Sequence, residues 1–294
     1  MLQSKENTVK IEGILSEINI TQGNFTKDNR TQNCLRGEIK VQVPQTAEDG
    51  TAFTLEVPVS VFASELKKDG SENPVYKSLL TVKNEYVSIA AGGIEKADKV
   101  RITGASIKMN EYYSKNTGAL VAFPRIQASF INRVTGEFAP EATFSAIFTV
   151  GDIVDETDKD GVETGRTIIK GILPQYDGTV DVIPFYTGTP SVASAVKSYW
   201  SKGDTVKAVG RLNFTSKTET IKVDVDFGEP TTKTRTTNVS ELVVIGGSST
   251  PLDGDNAFDS NEISEALTKR KAALEAKKIA SAEPPKKSFK DLGF

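Results

Sequence analysis

Apolar and polar positions alternate in short blocks along residues 8–135, the period of half-buried β-strands. Residues 9–20 alternate loosely, and a polar stretch follows at 21–33. Residues 35–43 alternate without a break. Leu35, Gly37, Ile39, Val41 and Val43 fall on one face, and Arg36, Glu38, Lys40 and Gln42 on the other. Residues 53–62 repeat the pattern, with Phe53, Leu55, Val57, Val59 and Val61 in phase and Phe62 out of it. A helix is predicted over 74–91, then strands at 99–109 and 120–134 around a polar turn at 114–118. The same order returns further on: a strand at 143–154, a charged loop at 155–165, strands at 167–173 and 179–186, and a short helix at 191–201 before Gly203. A strand pair at 206–214 and 220–227 follows, and a strand at 239–245 closes the series.

The run from Lys96 to Gly104 aligns with the run from Lys202 to Gly210, so the two halves read as a repeat. Five strands with a helix between the third and fourth is the element order of the OB-fold, a small Greek-key barrel. An immunoglobulin-like sandwich has seven or more strands and no such helix. The expected architecture is mainly β: two tandem OB-fold barrels with a flexible, partly helical C-terminal tail. The divisions fall at 1–137, 138–247 and 248–294. In the tail, Ile263, Leu267, Leu274 and Ile279 form a thin apolar stripe, which suits a solvated helix or one docked on a partner. Pro284 and Pro285 break that pattern before the end of the chain.

Composition removes most chemistry. There is no histidine and one cysteine, Cys34, which excludes Ser-His-Asp and Cys-His arrangements, imidazole shuttles, His-containing zinc sites and an intrachain disulfide. Phosphate-loop and dinucleotide motifs are absent. The acidic run from Glu156 to Gly161 opens like a calcium loop, but begins with Glu and has Thr167 where a bidentate Glu is required. The expectation is a non-catalytic protein with no cofactor and no metal. Nothing resembles a secretory signal or a membrane span, so the expected location is the cytoplasm, that of the host if a phage encodes the chain.

What remains is cationic and flat side chains on strands, the chemistry that grips single-stranded nucleic acid. In the first half Arg36 and Lys40 lie on the non-core face of the second strand, Phe62 points out of the third, and Tyr112 and Tyr113 precede a hairpin turn with Lys108, Lys115 and Arg125 nearby. In the second half Lys207 and Arg211 alternate with apolar neighbours, Lys217 and Lys222 flank the expected equivalent turn, and Tyr176 and Tyr186 are candidate platforms. Each also reads as an ordinary solvated or core-edge residue, and Trp200, Phe144, Phe148, Phe185 and Phe214 read as core. Residues 1–137 carry 17 basic and 16 acidic side chains, residues 138–247 carry 11 and 15. A duplex binder is normally clearly basic, whereas one charged groove plus stacking suffices for a single strand.

The tandem OB-like halves, the linker and the terminal Asp291-Leu292-Gly293-Phe294 together resemble single-stranded DNA-binding proteins, of a bacteriophage type. In the bacterial family the chain closes with Asp-Ile-Pro-Phe, and that tail is implied to recruit replication and repair proteins through the last Phe and its carboxylate. Asp291, Leu292 and Phe294 match by position and type, and Gly293 stands where that family has proline. The resemblance implies a protein that coats single-stranded DNA in replication, recombination or repair; two barrels per chain suit a monomer or a homodimer alike. The rival from another class is a virion structural β-barrel, of tail or head, with no affinity for nucleic acid.

Overall fold

In the computed structural model the described residues are 2–27, 30–47, 50–223 and 231–282. The chain is mainly β with a C-terminal helix. In the first half β1 (Asn7–Lys27), β2 (Arg30–Thr46) and β3 (Ala52–Ser64) form an antiparallel meander. Helix α1 (Pro74–Glu85) and the single turn α2 (Ile89–Gly92) lead to β4 (Lys99–Tyr113) and β5 (Leu120–Ala128). Strand β5 returns parallel to β3, and β4 pairs with β1, so the pairings run in a closed circuit β1-β2-β3-β5-β4-β1. After the two-residue β6 (Asn132–Arg133), the second half repeats the plan. Its strands are β7 (Glu141–Thr157), β8 (Glu163–Pro174), β9 (Val180–Thr187), β10 (Thr205–Val223) and β11 (Thr231–Gly247), with α3 (Pro190–Tyr199) between the third and fourth. Their circuit is β7-β8-β9-β11-β10-β7. An antiparallel β1–β7 pairing from Asn7 to Glu12 makes one continuous sheet of both halves.

The repeat is visible bond by bond. The Leu15 amide donates to Asp98 O at 2.9 Å, and the Val150 amide to Asp204 O at 2.8 Å. A register shift follows each of these two residues, between Leu15 and Glu17 and between Val150 and Asp152. Beyond each shift a carboxylate meets a lysine at 3.1 Å (Glu17 with Lys40, Asp152 with Lys170), and each lysine faces a proline, Pro58 or Pro184, on the next strand. These correspondences make Gly104 the equivalent of Gly210, the alignment read in the sequence.

Four sequence expectations change. The polar stretch 21–33 is a hairpin arm, with Phe25 opposite Gln32 and Thr26 opposite Thr31. Paired Thr-rich strands need no apolar alternation when neither face is buried. The helix expected over 74–91 stops at Glu85, where Tyr86 is extended; Asp98 takes the Val87 amide at 2.8 Å, and one separate turn follows. Most of the charged loop 155–165 is strand, leaving a tight turn closed by Asp158 Oδ1, which accepts from the Asp160 and Val162 amides. The pair expected at 206–214 and 220–227 is a single strand, β10, so the second half has five strands like the first; residues 224–230 lie outside the described set.

One apolar core runs through both halves. Phe148 stacks on Phe185 at 4.5 Å and meets Trp200 edge-on, and Gly171 lies flat beneath them because a Cβ there would stand 2.6 Å from the Phe185 ring. Helix α4 (Ser260–Ala282) docks on the body of its own chain: Ile263 and Ala266 are buried against Leu2, Ile172 and Val180, while Ile279 stays exposed. Among the described residues no helix is long and apolar enough to cross a membrane.

Candidate nucleic-acid interface

Alternation along a strand sends one set of side chains into the core and the other outward. On β2 and β3 the inward set is Leu35, Ile39, Val41, Val57, Val59 and Val61, all buried. Arg36 and Phe62, directly opposite each other, therefore point outward. Phe62 is 45% exposed and takes the edge of Phe25 from the hairpin arm at 5.5 Å. The Arg36 guanidinium lies over Gly23. An exposed ring and an exposed guanidinium side by side offer a stacking surface and a phosphate partner.

The same outward face continues onto β5 and β4. Lys108 is opposite Arg125, Asn110 opposite Phe123, and Tyr112 opposite Val121. Tyr112 and Phe123 are both exposed, Tyr113 is half-buried on the alternate face, and Lys115 is exposed in the turn beyond. With strands about 4.8 Å apart and ~3.3 Å per residue, the Arg36–Phe62 end and the Lys108–Arg125 pair are separated by roughly 15–20 Å, a span of a few nucleotides.

Lys40 stands between these clusters with its charge matched. It pairs with Glu17 at 3.1 Å, a bond that holds its ammonium above the usual lysine range, with Glu56 and Glu38 contributing. Burial in turn pushes the Glu38 carboxyl up. Lys40 is a structural cation, and the middle of the face is not basic.

Tyr176 belongs to this face rather than to the second half's own. Its ring is 94% exposed on the β8–β9 turn, which packs along the edge of β4. Gln175 Nε2 donates to Ile107 O at 3.2 Å, and the Met109 amide donates to Asp181 Oδ2 at 3.0 Å. In the turn, the Thr179 hydroxyl lowers the Asp177 carboxyl, with Lys108 assisting. Burial raises Asp181, against the Met109 amide and the charges of Arg270 and Lys108. From α4, Arg270 pairs with Glu111 beside Tyr112.

The outward face of the second half has a different character. Tyr186 is half-buried, and Arg166 covers its ring at 5.1 Å. Arg166 is held by Glu241 at 3.0 Å and Glu156 at 3.5 Å, and Asn213 also donates to Glu241 at 3.0 Å. Lys207 pairs with Glu6 at 2.8 Å. Arg211 is exposed, opposite Val243. Lys217 and Lys222 flank no turn: both lie within β10, opposite Thr237 and Thr232, and their side chains are outside the described set. Asp291, Leu292 and Phe294 also lie outside the described residues.

The structure thus sets Arg36, Phe62, Lys108, Tyr112 and Arg125 on one outward face, with Tyr176 exposed on a turn that packs along β4, and sets Lys40, Tyr186 and Lys207 among carboxylates or their partners. Sequence reading missed Phe25, hidden in a stretch that looked like loop, and Phe123. Phe123 stands two residues from Arg125 on the same strand, a period-two signal that marks both as outward.

Against known proteins, residues 5–279 match the family model described as YorF. The chain belongs to the YorF family. No curated protein sequence matches this YorF-family chain. Among solved structures, the wild-type single-stranded DNA binding protein from Thermus aquaticus is similar at 11% identity over 86% of this chain and 96% of that one, with a TM-score of 0.47. A deletion mutant of the same Thermus aquaticus protein is similar at 13% identity over 88% of this chain and 99% of that one, with a TM-score of 0.45. Among the described residues of the YorF-family chain, no cluster of three or more acidic, Cys or His side chains is placed to hold a metal ion.

Proposed function

We propose that this YorF-family chain is a non-catalytic single-stranded DNA-binding protein built from two OB-fold barrels, divided near residues 137 and 247. The observation that supports this most is the outward face of the first half. It sets Phe62, Phe123 and Tyr112 as exposed rings among Arg36, Lys108 and Arg125. Rings at this spacing stack on bases without reading their identity, and the cations meet the phosphates between them. The near-neutral overall charge suits one local groove and argues against a duplex binder.

On this reading the protein coats strands exposed during replication, recombination or repair in the cytoplasm, of a phage-infected host where the gene is phage-borne. The terminal Asp291, Leu292 and Phe294 recruit partner proteins. Fluorescence anisotropy of a labelled oligo-dT of ~30 nucleotides tests the core of it. Binding at ~1 μM or tighter that weakens with salt is expected, and Tyr112→Ala with Phe62→Ala should reduce it. Assembly into rings or tubes without DNA affinity would replace it with the virion structural reading.

A further inference from the structure

The β2–β3 hairpin of the first half extends beyond its own core. It leans over the second half, where β3 packs against β10. Between them lies a cleft of about 520 Å³, within the ~300–1,000 Å³ of small-ligand sites. Phe53 and Gln45 form one wall, and Arg211 with Asn213 the other. Two features of this cleft are unused by the fold. Phe53 carries the inward phase of β3 but lies beyond the end of the core, so its ring is 42% exposed. Arg211 is exposed, and among the described residues no carboxylate pairs with it, because the nearby Glu241 is occupied by Arg166 and Asn213.

A guanidinium with no carboxylate partner among the described residues, opposite an open aromatic ring and with amide groups beside both, is a donor set for a flat base carrying a phosphate. We infer that this cleft clamps one nucleotide of a single strand, its base against Phe53 and its phosphate on Arg211. The inference rests on the strand-binding reading and adds to it a site to which each half contributes one essential group. The strand then leaves the Tyr112 face of the first half and is held again between the halves. Neither half alone would carry this site.

The test uses the full chain and labelled oligo-dT of ~8 and ~30 nucleotides, with wild type, Phe53→Ala and Arg211→Gln. Both side chains are exposed, so the variants should melt as wild type does. Each should weaken the 30-mer about tenfold and leave the 8-mer, seated on the first-half face, unchanged. A 30-mer carrying 5-iodouracil should crosslink to the peptide containing Phe53. Thymidine 5′-monophosphate at ~1 mM should not displace the 30-mer. Variants that bind the 30-mer like wild type, or that lose the 8-mer equally, overturn the clamp while leaving strand binding intact. Displacement by the monophosphate that Arg211→Gln abolishes overturns it in favour of a free-nucleotide site. Wild type that binds neither oligomer overturns the strand-binding reading and the clamp together.

Discussion

At the scale of single residues, like-named positions in the repeat are kept for unlike reasons. Gly104 has φ +76 with open space around it, so glycine answers a backbone requirement there. Its equivalent Gly210 answers a packing requirement: an added Cβ would stand 2.2 Å from Val243 O and 2.4 Å from the Phe144 ring. Gly104→Ala should cost about 1–2 kcal/mol in urea denaturation. Gly210→Ala should cost more, about 3 kcal/mol or above, because a backbone atom cannot yield. Asp181 separates two further effects. Burial raises its carboxyl, yet it accepts the Met109 amide across the seam. Asp181→Asn keeps an acceptor and removes a buried charge, so melting temperature should hold or rise. Asp181→Ala leaves the amide unpaired and should cost roughly 1–3 kcal/mol. Such distinctions were not legible in the sequence, where Gly104 and Gly210 look identical and Asp181 is one acid among many.

At the scale of elements, strands whose inner face is buried announced themselves, and those without a buried face did not. The alternation of 35–43 and 53–62 gave β2 and β3 with the correct outward residues, Arg36 and Phe62. The arm at 21–33 has no core to point at, so its pairing left no apolar period to read. Phe25 was lost with the arm. Ends were also set by distant partners: α1 stops where Asp98 and Arg133 hold the Val87–Tyr86 backbone and ring, a constraint that no local pattern carries. The joint between the halves has its own element-level device. Glu12 is buried on β1, where it accepts from Arg101 of β4 and, at 2.7 Å, from the Ala139 amide in the connection to β7. The Arg101 guanidinium holds its carboxyl below the usual range despite burial. A carboxyl whose folded pKa lies below its unfolded value stabilises at pH above the unfolded value, and that stability is lost as pH falls through the folded one. Thermal melting should therefore drop on acidification below pH ~4 in wild type, and less steeply in Glu12→Gln, which should already be weaker by about 2 kcal/mol at pH 7.

At the scale of the whole molecule, the two halves are one body. The β1–β7 pairing, the Gln175 and Asp181 bonds to β4, and α4 reaching Glu111 through Arg270 all cross the seam. Denaturation should accordingly show a single transition by calorimetry. The sequence conveyed the order of elements in each half, because each is written in local patterning, but it counted one strand too many in the second, where the pair expected at 206–214 and 220–227 is the single strand β10. It did not convey the asymmetry between them. Only the pairing of Arg166 with Glu241 and Glu156, and the reach of the β2–β3 hairpin, show that the first half has the open cationic face and the second a covered one. Matched carboxylates are invisible until strands are brought side by side.

On the proposed function, this face holds a single strand by stacking and charge. It is tested by a salt titration of binding to the ~8-nucleotide oligo-dT by anisotropy, from ~20 to ~300 mM, on wild type and on Tyr112→Ala with Phe62→Ala. If Arg36, Lys108 and Arg125 each meet a phosphate, log Kd should rise against log salt with a slope of roughly 2, near 0.7 per contact on a single strand. The aromatic variant should bind at least tenfold more weakly with the same slope, since it loses stacking and no cation. An affinity that does not change with salt, no binding at ~20 mM, or an aromatic variant indistinguishable from wild type would contradict the account.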